Sequence, residues 1–127
     1  MDGFIKTLRE MEDLDCLGGV TQEEIEAAEK ELNLKFAKDY RMYLAEFGLA
    51  SAGGHEFTGI VKSPRLSVIS VTTKIGKKIK DMPPKAYVVE ELNIDGIVIL
   101  QTSDGTVYEG APNRKVKKIA SSLSEYI

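Results

Sequence analysis

The sequence predicts an α+β fold, an antiparallel β-meander packed against several α-helices. Two observations carry that prediction. Between Gly18 and Gly48 two amphipathic helices share one apolar seam, and from Lys85 onward β-branched runs alternate with Asp-Gly turns. The length of 127 residues suits one domain, residues 1–127, buried well enough to need no disulfide or metal staple.

The elements follow in order. Phe4, Ile5, Leu8, Met11 and Leu14 predict a first amphipathic helix over about residues 2–14. Leu17-Gly18-Gly19 turns the chain into the second helix. There Thr21 is an N-cap with Glu24 three residues on, a capping box, and Val20 and Ile25 sit at the spacing of a hydrophobic staple. Ile25, Ala28 and Leu32 share one face of that helix, which stops at Asn33. Tyr40, Tyr43, Leu44 and Phe47 repeat at i, i+3, i+4 and i+7 in the third helix, and Gly48 ends it. Residues 50–54 (Ala-Ser-Ala-Gly-Gly) read as a surface loop, and Glu56 to Val61 as a short strand cut off by Ser63-Pro64.

Residues 66–82 carry strand composition but helical spacing at Val68, Val71, Ile75, Ile79 and Met82, and a helix is predicted there. Pro83-Pro84 closes it. Strands follow at Ala86–Leu92, Ile97–Thr102 and Thr106–Gly110, joined by turns at 93–96 and 103–105. Ile119, Ala120, Leu123 and Ile127 then predict a closing helix over Val116–Ile127, with Ser121 or Ser122 as a candidate cap.

The charge is unevenly placed. Residues 1–31 hold ten carboxylates against Lys6, Arg9 and Lys30, a net of −7, whereas the remaining 96 residues hold fourteen basic side chains against ten acidic ones, a net of +4. Such a distribution describes either an acidic face that attracts a basic partner or a solvated helical surface. The single Cys16 has no internal disulfide partner, the start Met1-Asp2-Gly3 lacks the basic and apolar regions of a signal peptide, and no apolar run spans a bilayer. A cytoplasmic location without membrane association is expected.

Residues able to do chemistry are few. His55 is the only histidine, so no metal site needing two is available, and nothing marks a Ser or Cys nucleophile beside it. It reads as a solvated or turn-stabilising loop residue. Acids flank Cys16 and oppose thiolate formation. Of Glu90 and Glu91, strand alternation lets only one face a given site. Two basic clusters, Lys74–Lys80 and Arg114–Lys118, lack the interleaved aromatics of a base-stacking surface, and neither a phosphate loop nor a dinucleotide fingerprint is present. No catalysis, no cofactor and no nucleic-acid partner are expected.

The order of motifs resembles the SUKH superfamily, the Smi/Knr-like proteins. The capped helix from Val20 to Glu29, Leu34 to Phe36, Asp39-Tyr40-Arg41-Met42-Tyr43-Leu44 and Phe47-Gly48 carry the resemblance. Gly59-Ile60, Asp95-Gly96, Val107-Tyr108 and the final Ile119 to Ile127 extend it. Two positions depart from the pattern, Ala37 where the family usually opens the helix with proline and Phe47 where it commonly has asparagine. The resemblance implies a SUKH-like α+β fold. In bacteria it implies a non-catalytic immunity protein that binds a cognate toxin domain, often a nuclease; the fungal branch implies a cell-wall regulator acting as an adaptor. The expected partner is a toxin domain with a basic surface, the chain itself being a monomer or weak homodimer. Glu10, Glu12, Asp13, Asp15, Glu23 and Glu26, with His55 and Glu56 of the glycine loop, are the expected contact residues.

Overall fold

The computed structural model describes residues 3–127. Helix α1 runs Gly3–Glu10, shorter than the predicted span, of which Asp2 lies outside the described residues. Phe4 and Leu8 are buried and Met11 and Leu14 pack partly on the same cluster, so the apolar spacing holds beyond the helix itself. Glu10, Glu12 and Asp13 would crowd negative charge onto the negative end of the helix dipole, which favours ending it at Glu10. The chain then makes strand β1, Asp15–Cys16, which the sequence did not announce.

Helices α2 (Gln22–Leu32) and α3 (Lys38–Phe47) match expectation closely. The Thr21 hydroxyl accepts from the Glu24 amide at 3.1 Å and the Glu24 carboxylate accepts from the Thr21 amide at 2.9 Å. Tyr40, Tyr43, Leu44 and Phe47 of α3 are all buried.

The expected loop at 50–54 is instead a β-hairpin. β2 (Ala50–Ala52) pairs with β1 on one side and β3 (His55–Glu56) on the other. Gly53 and Gly54 have φ of 58° and 83°, the two positive values that a tight hairpin turn demands, while Ala50 and Ala52 are small enough to lie flat in the core. The strand predicted from Glu56 to Val61 ends early. Phe57 makes a single bridge to Glu90, and Thr58 donates its amide to the Val89 carbonyl at 2.9 Å, which joins this small sheet to the larger one. At Gly59 a Cβ would lie 2.0 Å from the Gly48 carbonyl oxygen, so only glycine lets the chain pass there.

Residues 66–82 do form a helix, α4 (Val68–Gly76), capped by the Ser67 hydroxyl; Ile79 continues its apolar face after the helix has ended. β4 (Tyr87–Glu91), β5 (Val98–Gln101) and β6 (Val107–Ala111) are the predicted strands. The closing segment corrects the prediction. Arg114–Ala120 is a fourth strand, β7, paired antiparallel with β6, and only Leu123–Tyr126 is helical (α5), capped by Ser122. Pairing with an adjacent hairpin partner outweighs the 3.6-residue spacing in a run rich in Val, Ile and Lys.

In the meander β4-β5-β6-β7, β4 and β5 are buried on both faces, while the edge strand β7 is mostly exposed. Tyr87, Val89, Ile99 and Val107 join α1, α2, α3 and α5 in the main core; Val88, Val98 and Leu100 face α4. No helix among the described residues is long and apolar enough to cross a membrane.

Candidate functional site

The β1-β2-β3 sheet holds three of the eight residues expected to contact a partner, Asp15, His55 and Glu56. Asp15 stands opposite Ser51, and Ser51 opposite Glu56, so the three form one cross-strand row. They wall a shallow cleft of about 180 Å³ that also touches Leu17. Leu17 is 70% exposed, an uncovered apolar side chain beside the acids. Glu10 and Glu12 lie exposed at the end of α1 and in the turn after it, leading into the sheet. Asp13 is engaged locally: both of its carboxylate oxygens accept from the Gly53 amide at 3.0 Å, which ties that turn to the hairpin.

Glu23 and Glu26 are exposed on α2, which packs against α3 and α4. Glu26 borders a different, wide cleft together with Lys30, Lys35 and Lys85, where the charges are mixed. The acidic quarter of the sequence is therefore divided between two elements. Glu56 is also not a free acid. Arg65 clasps it with Nη1 to Oε1 at 2.8 Å and Nη2 to Oε2 at 3.2 Å. The guanidinium holds the Glu56 carboxyl below its usual range and is itself raised by the pair. Glu10, Glu12 and Asp15 make no ion pair with a described residue.

Of the two roles expected for His55, solvated or turn-stabilising, the structure departs from the first: the ring is partly buried at the start of β3. Its ring stacks on Phe57 at 5.3 Å and 8°, with the Tyr126 ring edge-on at 5.6 Å. Nδ1 sits 3.0 Å from Oε1 of Glu90, a carboxylate 2% exposed. The same carboxylate accepts from the Tyr126 hydroxyl at 2.6 Å and from the Glu56 amide at 3.1 Å. Burial first, and then the adjacent Glu90, raises the Tyr126 hydroxyl far above its ordinary value. A histidine held by a buried carboxylate is half of a general-base arrangement; the other half is a nucleophile and a cleft for substrate. Here the ring faces Phe57 and Tyr126, and the cluster fastens the hairpin and α5 to β4.

Sequence reasoning passed over two buried acids. Glu90 was visible only as one of the pair Glu90-Glu91 after Tyr-Val-Val in an apolar strand, and the register shifts between Val88 and Glu90. Glu29 is also 2% exposed, accepting from the Phe36 amide at 2.8 Å with Arg41 at 3.8 Å. Its only signal was a position next to Ala28 on the buried face of α2.

Helix pair, hairpin sheet and two-faced meander define an α+β fold whose buried polar groups hold structure and whose hairpin sheet is edged with acids. The chain belongs to the SMI1-KNR4 family: the family model described as SMI1-KNR4 cell-wall (SUKH_5) matches residues 1–127. No curated protein matches the chain.

Proposed function

We propose that this protein is an immunity protein that binds a cognate toxin domain through a basic surface on the toxin and blocks it without catalysis of its own. The observation that carries the reading is the set of exposed carboxylates at Glu10, Glu12 and Asp15 on the stretch from the end of α1 into β1, the last of them lining a cleft with the uncovered Leu17. Charges of one sign steer a basic partner into contact, and a central apolar side chain anchors it once docked. A toxin acting on nucleic acid would present such a basic surface, because it must attract phosphate. The engagement of His55 and Glu90 with each other and with aromatic rings supports a non-catalytic role.

The test is co-purification with the product of the gene directly upstream, followed by stopped-flow association at several salt concentrations. Triple reversal at Glu10, Glu12 and Asp15 to lysine is expected to slow association at least about tenfold at low salt and to flatten its salt dependence. Reversal at Glu23 and Glu26 reports whether the α2 acids share in this. An unchanged rate in the triple variant removes the hairpin face from the interface, and absence of any complex refutes the reading. The family's cell-wall description favours a second reading, a regulatory adaptor without a toxin. A gene neighbourhood lacking any large upstream toxin gene would support that alternative.

A further inference from the structure

Two basic clusters that lie far apart in the sequence meet at one end of the meander. Ile79, from the Lys74–Lys80 cluster, and Val116, from the Arg114–Lys118 cluster, share one apolar group. They approach each other over Gly110, where an added Cβ would meet Val116 at 3.2 Å and Ile79 at 3.6 Å. Lys78 and Lys80 flank Ile79 and are exposed, as are Arg114, Lys115, Lys117 and Lys118. None of these side chains makes an ion pair with a described carboxylate. Glu109, opposite Lys117, and Asp81 are the nearby acids in the sequence and register.

β7 is also the last strand of its sheet among the described residues, so its outer side offers unpaired backbone groups along Arg114–Ile119. Its cations lie on both faces. Lys118 stands opposite Tyr108 and, like Val116, belongs to the α4 side; Lys117 stands opposite Glu109 on the other side. Lysines on an edge normally prevent pairing, and two copies of β7 side by side would set cation against cation. An incoming strand with carboxylates on both of its faces meets the opposite situation. We propose that the β7 edge, with the lysines following α4, docks an extended acidic segment of a partner protein by strand addition. Backbone pairing requires a polypeptide, which distinguishes this occupant from a nucleic acid. The inference does not depend on the toxin reading, since it uses a different surface and partner chemistry.

The probe is a fluorescent hexapeptide, acetyl-Glu-Val-Glu-Glu-Val-Glu-amide, titrated against the full chain by anisotropy at low salt. Saturable binding is expected, at least tenfold weaker for the same peptide N-methylated at alternate amides, and at least tenfold weaker for a thymidine hexanucleotide. The Lys115→Gln/Lys117→Gln variant is expected to weaken binding at least tenfold while keeping its circular dichroism and urea midpoint, because both side chains are exposed and no like charge is set opposite Glu109. Absence of peptide binding overturns the proposal. Equal affinity for the methylated peptide or the oligonucleotide overturns it in favour of a general polyanion surface. Salt-sensitive self-association that the double variant abolishes overturns it too, assigning the edge to the acidic quarter of a second copy.

Discussion

Removing one hydroxyl, in Tyr87→Phe, tests the polar centre that positions α3. Tyr87 is fully buried on β4, where its hydroxyl accepts from the Ala37 amide at 2.8 Å and donates to Oε1 of Gln101 at 2.7 Å. Gln101 passes the connection on through Nε2, to Asp39 at 2.9 Å and to the Gly105 carbonyl at 3.1 Å. The other oxygen of Asp39 accepts from the Leu123 amide. This single network ties the start of α3, two strands, the β5–β6 turn and α5 together. Phenylalanine fills nearly the same volume, so no cavity term enters. It leaves the buried Ala37 amide and Gln101 oxygen unpaired, at about 1–3 kcal/mol each before relaxation, hence a loss of about 2–4 kcal/mol. Urea unfolding followed by far-ultraviolet circular dichroism is expected to show the midpoint falling by roughly 1–2 M with an unchanged slope. Burial also pushes the Tyr87 hydroxyl well above its ordinary 10.0. The folded state therefore keeps the proton, and the associated stability is complete below pH 10 and is lost as pH rises above it. The variant should show a shallower alkaline loss. A drop no larger than that of Tyr108→Phe, or strict additivity with Gln101→Leu, would refute the network account.

Further outcomes follow from the same geometry. Glu90→Ala strands the Tyr126 hydroxyl and the Glu56 amide and should cost about 2–4 kcal/mol in calorimetric unfolding, with α5 amides exchanging fastest. Ala37→Pro introduces proline at a compatible φ of −67°, yet it deletes the amide that Tyr87 accepts from; a net loss of about 1 kcal/mol is expected in urea, and a gain would refute the assignment. Arg65 depresses Glu56, so this pair adds its stability above the ordinary 4.5 and loses it as pH falls through the lowered value; Glu56→Gln should cost about 0.5 kcal/mol at pH 7, and the difference from wild type should vanish in acid. Asp13→Ala should speed hydrogen exchange at the Gly53 amide and leave association with the proposed toxin partner unchanged, whereas Asp15→Lys should do the reverse.

What could be read in advance was governed by local signals. The capping box at Thr21 and Glu24, the Tyr40–Phe47 seam and the Asp-Gly turns each depend on residues within a few positions of one another, and each formed as expected. The misreadings share a cause in long-range pairing. Ala50 and Ala52 look like loop residues until β1 and β3 lie beside them, and Val116–Ala120 looks helical until the chain turns back along β6. His55 was misplaced for the same reason, because Glu90 and Tyr126 are 35 and 71 positions distant in the chain. The acidic quarter was legible as composition but not as a surface, since only the fold separates Asp15 on the hairpin sheet from Glu26 among the lysines.

That separation bears on how a small protein recognises a charged partner. A carboxylate already held by its own chain contributes little to steering, because its field is matched locally and moving it would break the structure it supports. Glu90 and Glu29 are buried, Glu56 is clasped by Arg65, Asp13 holds the Gly53 amide and Glu24 closes the α2 cap. With Asp39 in the Tyr87 network, at least six acids are thus assigned to the fold, and counting all twenty would overstate the field a partner feels. Glu10, Glu12 and Asp15 are exposed, and Asp15 lies beside the exposed Leu17 on the edge strand of a hairpin sheet that the engaged acids hold in place. The structural carboxylates fix the platform, and the unengaged ones give it a sign.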